Sequence, residues 1–303
     1  MLEELLGTLV NTSFAMLRMA APLILAAMGG VFSQQVGLIN IALEGLMLVG
    51  AFVAVIAAFY LHSALVGVLA AILITVVFAL VFAFFVLRLR ADLIVVGLAV
   101  NILALGLTKY LLQALFSTRG AFAPQGLPGL LPIDIPGLKS IPILGGILSS
   151  HSVLVYLSWL LTFLTQLFLH RTVIGLHIRA VGEKSEAAKS VGIPVTQMQY
   201  LALALSGAFC GLAGAQLSLG NLQLFSENMT NGRGFMALAA VFFGQGRPLP
   251  TAFACLLFGF FEALQIRLQT RVDIPPQWPQ MLPFIIIVVT LSFISLRQAR
   301  HRA

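Results

Sequence analysis

The sequence predicts an all-α polytopic membrane protein in which residues 1–303 form a single transmembrane domain. Hydrophobic residues make up 60% of the chain and charged residues only 9%, whereas a soluble domain has about 25% charged residues. Mean hydropathy is +1.04. The apolar runs reach the roughly 20 residues that a helix needs to cross the hydrocarbon layer, and they lack the period-two alternation of a membrane β-barrel. We therefore expect about 8 to 10 transmembrane helices, including short or broken ones.

The long apolar runs predict the spans in order along the chain. The first extends from Phe14 to Phe32, and Pro22 gives it a place to bend. Further spans are predicted at residues 34–60, 64–87, 93–116, 153–169, 200–219, 251–266 and 281–296. If the short segment after Arg233 also crosses, the basic loops all fall on the cytoplasmic side and the N-terminus lies outside.

Two segments depart from the pattern of long spans. Residues 117–150 contain five prolines among several glycines, too many breakers for a membrane helix, and are predicted to form an external Pro/Gly-rich loop. Arg233 closes a polar external loop and opens an apolar segment that glycine and proline interrupt at 244–250. That segment is too short to cross untilted, as in the half-length helices with which transporters build sites inside a membrane.

Asn40, Glu44 and Asn101 are strongly polar residues within predicted spans. A carboxylate exposed to lipid at mid-span costs about 3 kcal/mol on insertion scales, so Glu44 should face protein or water. The amides and the carboxylate either bond neighbouring helices or line a solute path. Phe235, one of 23 phenylalanines, either packs against its neighbours or stacks on a solute in that path.

The sixth predicted span contains small residues spaced along one helix face. Gly207, Gly211 and Gly214, preceded by Ser206, would let another helix backbone approach closely. Packing is the expected role of these glycines, because apolar burial alone gives no drive for association within lipid.

A polar island from His170 to Gln199 separates two apolar spans. It carries four of the chain's basic residues, which predicts a cytoplasmic loop at 170–196. Glu183 to Val191 is predicted to be one short helix, closed by Gly192, with an apolar face of Ala187, Ala188 and Val191. It is either part of a solvated connection or a docking helix that transmits force from a soluble partner.

The sequence offers no catalytic cluster. The five histidines and two cysteines show no ligand spacing, so neither a metal site nor a cofactor is predicted. Residues 182–185, GEKS, lack the glycine pattern of a phosphate loop, and the scattered basic residues form no nucleic-acid-binding stripe. Transport remains as the expected activity. Glu44 and Glu262 are the only acidic candidates for ion coupling within spans, which favours an external energy source over an ion-coupled secondary carrier.

Three stretches resemble the membrane subunits of bacterial ABC importers for branched-chain amino acids, ribose-type sugars and nucleosides, with the nucleoside branch most similar. They are GLINIALEGLMLVGAF at 37–52, RTVIGLHIRAVGEKSEAAKSVGI at 171–193 and GRGFMALAAVFFGQGRPL at 232–249. One departure is the Lys184-Ser185 pair, where the family often has Asn-Pro. The resemblance does not extend to residues 117–150.

This resemblance implies a multi-pass permease of the bacterial inner membrane with a type II-like importer core. Two permease subunits would assemble with cytoplasmic ABC ATPases and an extracytoplasmic substrate-binding protein, and ATP hydrolysis would belong to the ATPases. The implied cargo is a nucleoside, with branched-chain amino acids or sugars as the alternative. The implied coupling residues are Glu183, Lys184, Ser185, Glu186, Ala187, Ala188 and Gly192.

Overall fold

The computed structural model describes residues 2–134 and 144–271 together with Met281 and Ile285. Its helices are α1 (Leu2–Gln35), α2 (Leu43–Leu61), α3 (Ala64–Ala83), α4 (Leu93–Phe116), α5 (Leu144–Leu148), α6 (Val153–Arg171), α7 (Val173–Glu183), α8 (Ser185–Ser190), α9 (Val195–Ala215), α10 (Arg233–Phe243) and α11 (Pro248–Arg271). Wider π-helical turns continue α3 over Phe84–Arg88 and α9 over Gln216–Leu222.

Seven helices in the described part are long and apolar enough to cross a membrane, namely α1, α2, α3, α4, α6, α9 and α11. The prediction of a multi-pass helical membrane protein is confirmed. The segment after Arg233 forms α10, which has only 11 residues. The span predicted at 281–296 lies outside the described residues, apart from Met281 and Ile285.

The centre of the bundle is built around α9, which packs closely on α1, α2 and α3, while α2 also packs on α3 and α1 on α11. Small residues make this possible. A Cβ at Gly211 would lie 2.8 Å from the Ala71 carbonyl oxygen of α3, and one at Gly214 would lie 2.8 Å from the Gly50 carbonyl carbon of α2. Gly207 similarly lies against α3, where a Cβ would be 2.7 Å from the Thr75 carbonyl oxygen. Gly207 and Gly211 thus allow close packing of α9 on α3, and Gly214 allows close packing on α2.

The bundle has two distinct ends. At the proline-rich end, β1 (Ala121–Phe122) pairs with β4 (Phe225–Ser226), and β2 (Pro132–Ile133) pairs with β3 (His151–Ser152). These two-residue strands were not predicted, since they are too short to show a periodic pattern. The opposite end, which we call the α7–α8 end, carries α7, α8 and the beginning of α9.

Helix α1 runs from the proline-rich end to the α7–α8 end. Near its beginning, the Phe14 ring stacks on the His151 ring, with centroids 4.2 Å apart. At its last residue, the Gln35 backbone touches Gly182 of α7. The first residues of the chain therefore lie at the same end as the proline-rich segment.

Candidate functional site

The segment from α7 to α9 begins with a capped helix and ends with a glycine turn. The Thr172 hydroxyl accepts a hydrogen bond from the Gly175 backbone N–H at 3.0 Å and so caps α7. After α8, Gly192 adopts a left-handed backbone (φ +84°). The Ile193 N–H then donates to the Ala188 carbonyl at 3.0 Å, which closes the helix as predicted.

The beginning of the predicted short helix was wrong by two residues. Glu183 is the last residue of α7, Lys184 is extended (φ −156°), and α8 starts at Ser185. The reason is visible in the hydrogen bonds, because the Lys184 N–H still donates to the Ala180 carbonyl of α7 at 3.1 Å. A new helix can begin only after that ladder ends.

Helix α8 projects from the bundle. Ser185, Glu186, Ala187 and Lys189 are exposed, and Val191 just after the helix is 74% exposed. Ala188 is buried at 4% exposure, so the predicted shared face of Ala187, Ala188 and Val191 is not found. Successive helical residues are about 100° apart, which turns Ala188 inward while Ala187 and Val191 point outward.

Two open cavities flank α8. One, of about 450 Å³, is lined by Ser185, Glu186, Lys189 and residues 193–197. The other, of about 370 Å³, lies between the connection from α1 to α2 and residues 181–186, with Gln199 on its wall. The helix is thus accessible on two sides.

The interior joint is the place where α2, α4, α9 and α10 meet through Asn40, Glu44 and Asn101. Asn40 is fully buried; its Nδ2 donates to the Ser206 Oγ of α9 at 2.9 Å, and its Oδ1 accepts from the Ala42 N–H at 3.0 Å. Asn101 of α4 accepts from the Gly45 N–H at 2.8 Å and donates to the Ile41 carbonyl at 2.9 Å. The amides therefore replace backbone bonds missing where α2 begins within the bundle.

The Glu44 carboxylate caps the short helix α10. Its Oε1 accepts from the Gly232 N–H at 2.9 Å and its Oε2 from the Gly234 N–H at 2.6 Å. The first turn of a helix carries unpaired N–H groups and a partial positive charge, which a carboxylate neutralises. Gly234 is required there, because a Cβ would lie 2.8 Å from the Glu44 Oε2.

Sequence reasoning missed a second tie on α10. The Arg233 guanidinium forms an ion pair with the Glu262 carboxylate of α11, whose side chain is 8% exposed. Arg233 also donates to the Met229 carbonyl at 3.1 Å. The only signal was that a charged residue in or beside an apolar segment needs a partner; the sequence did not specify that Arg233 and Glu262 meet. Phe235, in the first turn of α10, is 43% exposed on the surface of the described chain.

The described residues offer no group of three or more His, Cys, Asp or Glu side chains placed to hold a metal ion. Cys210 and Cys255 are free and buried. Around α10, the described residues thus provide the Glu44 cap and the Arg233–Glu262 ion pair, and α8 is separately exposed.

Comparison with known proteins gives a consistent result. Residues 12–291 match the family described as the permease component of branched-chain amino acid transport systems. The chain is 38% identical over 286 residues to the guanosine ABC transporter permease protein NupQ of Bacillus subtilis (strain 168), with 90% of this chain and 88% of NupQ covered. It is 33% identical over 289 residues to the nucleoside ABC transporter permease protein NupC of Lactococcus lactis subsp. cremoris (strain MG1363), covering 91% and 90% of the two chains.

Among solved structures, the fold is similar to a metal-chelate type ABC transporter in an inward-facing conformation. The TM-score is 0.54 at 17% identity, with 91% of this chain and 85% of the other covered. At this identity the likeness concerns the fold alone.

Proposed function

Because this chain belongs to the family of branched-chain amino acid type ABC permeases, and is therefore a multi-pass transport component, we propose that it forms the membrane pathway of an importer for nucleosides or related small polar solutes. The proposed substrate is supported by the 38% and 33% identity to guanosine and nucleoside permeases over most of each chain. The proposed use of ATP is supported by the exposed helix α8, to which a separate ATPase could bind.

The proposed assembly contains two permease subunits, a cytoplasmic ABC ATPase on each α8, and an extracytoplasmic binding protein at the proline-rich end. Glu183, Lys184, Ser185, Glu186, Ala187, Ala188 and Gly192 form the coupling segment. Within it, Ser185, Glu186 and Ala187 supply exposed contacts, while Ala188 and Gly192 fix the position and the end of α8. ATP hydrolysis belongs to the partner. The α7–α8 end then faces the cytoplasm and the chain begins outside.

We assign Phe235 to the lining of the solute pathway. We assign Asn40 to the packed helices behind that lining. Phe235 is partly exposed and presents an aromatic ring, which suits stacking on a nucleobase. Asn40 has no exposed surface with which to touch a solute. Glu44 and Asn101 are half-buried, and their polar groups are engaged within the chain, so they would shape the passage from behind.

The energy source is tested by copurification. Ala187→Arg adds bulk and charge on the exposed side of α8, and we expect it to lower retention of the cognate ATPase about tenfold without changing the thermal stability of the permease. Gln125→Arg, at an exposed position of the proline-rich end, is the matched control and should retain the ATPase. Equal retention by both variants would contradict the assignment of α8.

The cargo is tested in proteoliposomes. Nucleoside uptake should require the permease, the ATPase, ATP and the binding protein together, and the permease alone should accumulate nothing down an ion gradient. Gradient-driven uptake by the isolated chain would identify a secondary carrier instead. ATP-driven uptake of labelled branched-chain amino acids, which the family description names, or of labelled sugars, with no uptake of nucleosides, would select the alternative cargo.

A further inference from the structure

The last turn of α7 is in backbone contact with the connection between α1 and α2, which we call the α1–α2 loop (residues 36–42). A Cβ placed on Gly182 would overlap the Gln35 carbonyl oxygen and would lie 3.3 Å from the Gly37 nitrogen. Gly37 itself has a left-handed backbone (φ +79°) and approaches the Gly182 Cα. Gly182 and Gly37 thus allow the last turn of α7 to lie directly against this loop. The contact is three residues before α8 begins.

The other end of the α1–α2 loop is fastened to the interior. Asn40 bonds Ser206 of α9, and Ile41 accepts a hydrogen bond from Asn101 of α4. The loop also has few degrees of freedom, because Gly37 and Leu38 donate to the carbonyls of Gln34 and Ser33 at 2.9 and 3.0 Å. A displacement at Gly182 therefore has a short and stiff route to the beginning of α2.

From the beginning of α2 the contact continues to α10. Glu44, in the first turn of α2, binds the Gly232 and Gly234 N–H groups with two charge-assisted hydrogen bonds. Gly234 lies against the Glu44 backbone with no room for a side chain. The first turns of α2 and α10 are therefore expected to move as one body.

We propose that the α1–α2 loop is a mechanical link that transmits motion of the α7–α8 end to α10, through the Gly182–Gly37 contact and the Glu44 cap. Gly182 and Gly37 are then positioning residues of the transport cycle. This inference rests on the proposed function, since it assumes that an ATPase moves α8. It predicts a route separate from α6 and α9, the spans directly connected to the coupling segment.

The first experiment is Gly182→Ala in the reconstituted complex of permease, ATPase and binding protein. The added methyl group must push the α1–α2 loop away from α7. We expect ATPase retention and ATP hydrolysis to stay within about twofold while ATP-driven uptake falls about tenfold, a coupling loss typical of two communicating sites. Gly106→Ala is the control, because that helical glycine of α4 has open space around it and should leave uptake unchanged.

The pattern of the losses decides the outcome. Normal uptake by Gly182→Ala, or equal loss of hydrolysis and uptake, overturns the link. Failure of the unmodified complex to bind an ATPase or to transport at all would instead refute the proposed function. The mechanical link is thus tested by the Gly182→Ala complex, and the proposed function by the unmodified complex.

A second experiment does not depend on Gly182→Ala folding. Spin labels on Ile39→Cys and Leu176→Cys, both exposed in the native chain, report the separation of the loop and α7. Cys210 and Cys255 are fully buried and should not be labelled. We expect this separation to stay constant between nucleotide-free and ATP-bound complexes, while the separation of labels at Leu176→Cys and Leu115→Cys changes. If the first pair separates during an active cycle, the link is refuted.

Discussion

Helix α8 and the interior joint both carry polar residues in a chain with only 9% charged residues, but their surroundings differ. In α8, the side chains of Ser185, Glu186 and Lys189 face outward. In the interior joint, the polar atoms of Asn40, Glu44 and Asn101 bind backbone or hydroxyl groups of neighbouring helices. Residue type alone does not separate a contact surface from an internal support. The position of the hydrogen-bond partners does.

The largest effect is expected where this internal support is removed. Glu44→Ala would leave the Gly232 and Gly234 N–H groups without their acceptor inside the bundle, and we expect a loss of about 3 kcal/mol in the free energy of unfolding. Denaturant titration in detergent micelles measures it. Glu44→Gln keeps one acceptor oxygen and should lose less. Stability unchanged in both variants would show that water, or another group, can replace the cap.

A smaller loss is expected for a change in helix packing that touches no polar side chain. Gly214→Ala would drive a methyl group into the α2 backbone near Gly50, and we expect about 2 kcal/mol of destabilisation from overpacking. Gly106→Ala, with open space around it, is the matched control and should be neutral or stabilising by up to about 1 kcal/mol through helix propensity. Equal melting temperatures of the two variants would show that α2 and α9 can separate at no cost.

Two neighbouring alanines sharpen the contrast within α8 itself. Ala188→Leu adds volume to a buried position and is expected to cost about 1 kcal/mol, whereas Ala187→Leu should change stability by less than about 0.5 kcal/mol. The order should reverse when binding of the ATPase to folded permease is measured, because Ala187 lies on the exposed surface that we propose the ATPase contacts. Parallel effects of both changes on stability would refute the outward orientation of Ala187.

The smallest effect concerns a polar group at the proline-rich end. His151, which precedes α6, is buried, and burial lowers the pKa of its imidazole, with the Arg18 charge adding to this and the Ile147 carbonyl opposing it. Burial therefore favours the neutral form of the ring in the folded chain. The unfolded chain binds a proton below a pKa of about 6.5, so stability is complete above that pH and is lost as the pH falls through the lowered folded pKa.

We expect the melting temperature of His151→Phe to fall less than that of the unmodified chain between pH 7.5 and pH 5.5, with the stack on Phe14 preserved. His62→Phe, at an exposed position, is the control. An unmodified chain whose melting temperature does not depend on pH in this window would refute the role of His151. Polar side chains would then stabilise the fold at the interior joint but not at the proline-rich end.

Much of the fold could be predicted because lipid imposes a simple rule on sequence. Each long apolar run at 64–87, 93–116 and 153–169 corresponds to a helix of nearly the same bounds, since a helix is the structure that satisfies every backbone group within one segment. The second span was predicted to begin at Gln34, whereas α2 begins at Leu43. Hydropathy could not locate this loop, because residues 36–42 are about as apolar as the neighbouring helices. The interruption of the helix is stabilised by the side-chain amides of Asn40 and Asn101, whose partners are distant in sequence.

The candidate site was predicted unevenly for a similar reason. The position of the polar segment that carries α8, and the glycine that closes α8, follow from charge and turn chemistry, which are local. The Gly182–Gly37 contact and the Arg233–Glu262 pair join residues 145 and 29 positions apart, and no local pattern specifies which partner each will meet.

The sequence by itself determined that this chain spans a membrane with many helices, carries a polar segment between two apolar spans and lacks a local phosphate-binding motif. Composition and spacing suffice for these properties, because each depends on a residue and its near neighbours. Only the tertiary structure decided that Glu44 caps α10, that Asn40 is buried against Ser206 of α9, and that the α1–α2 loop touches α7. Those outcomes depend on which helices pack together, and packing in lipid is selected by close fit between surfaces distant in sequence.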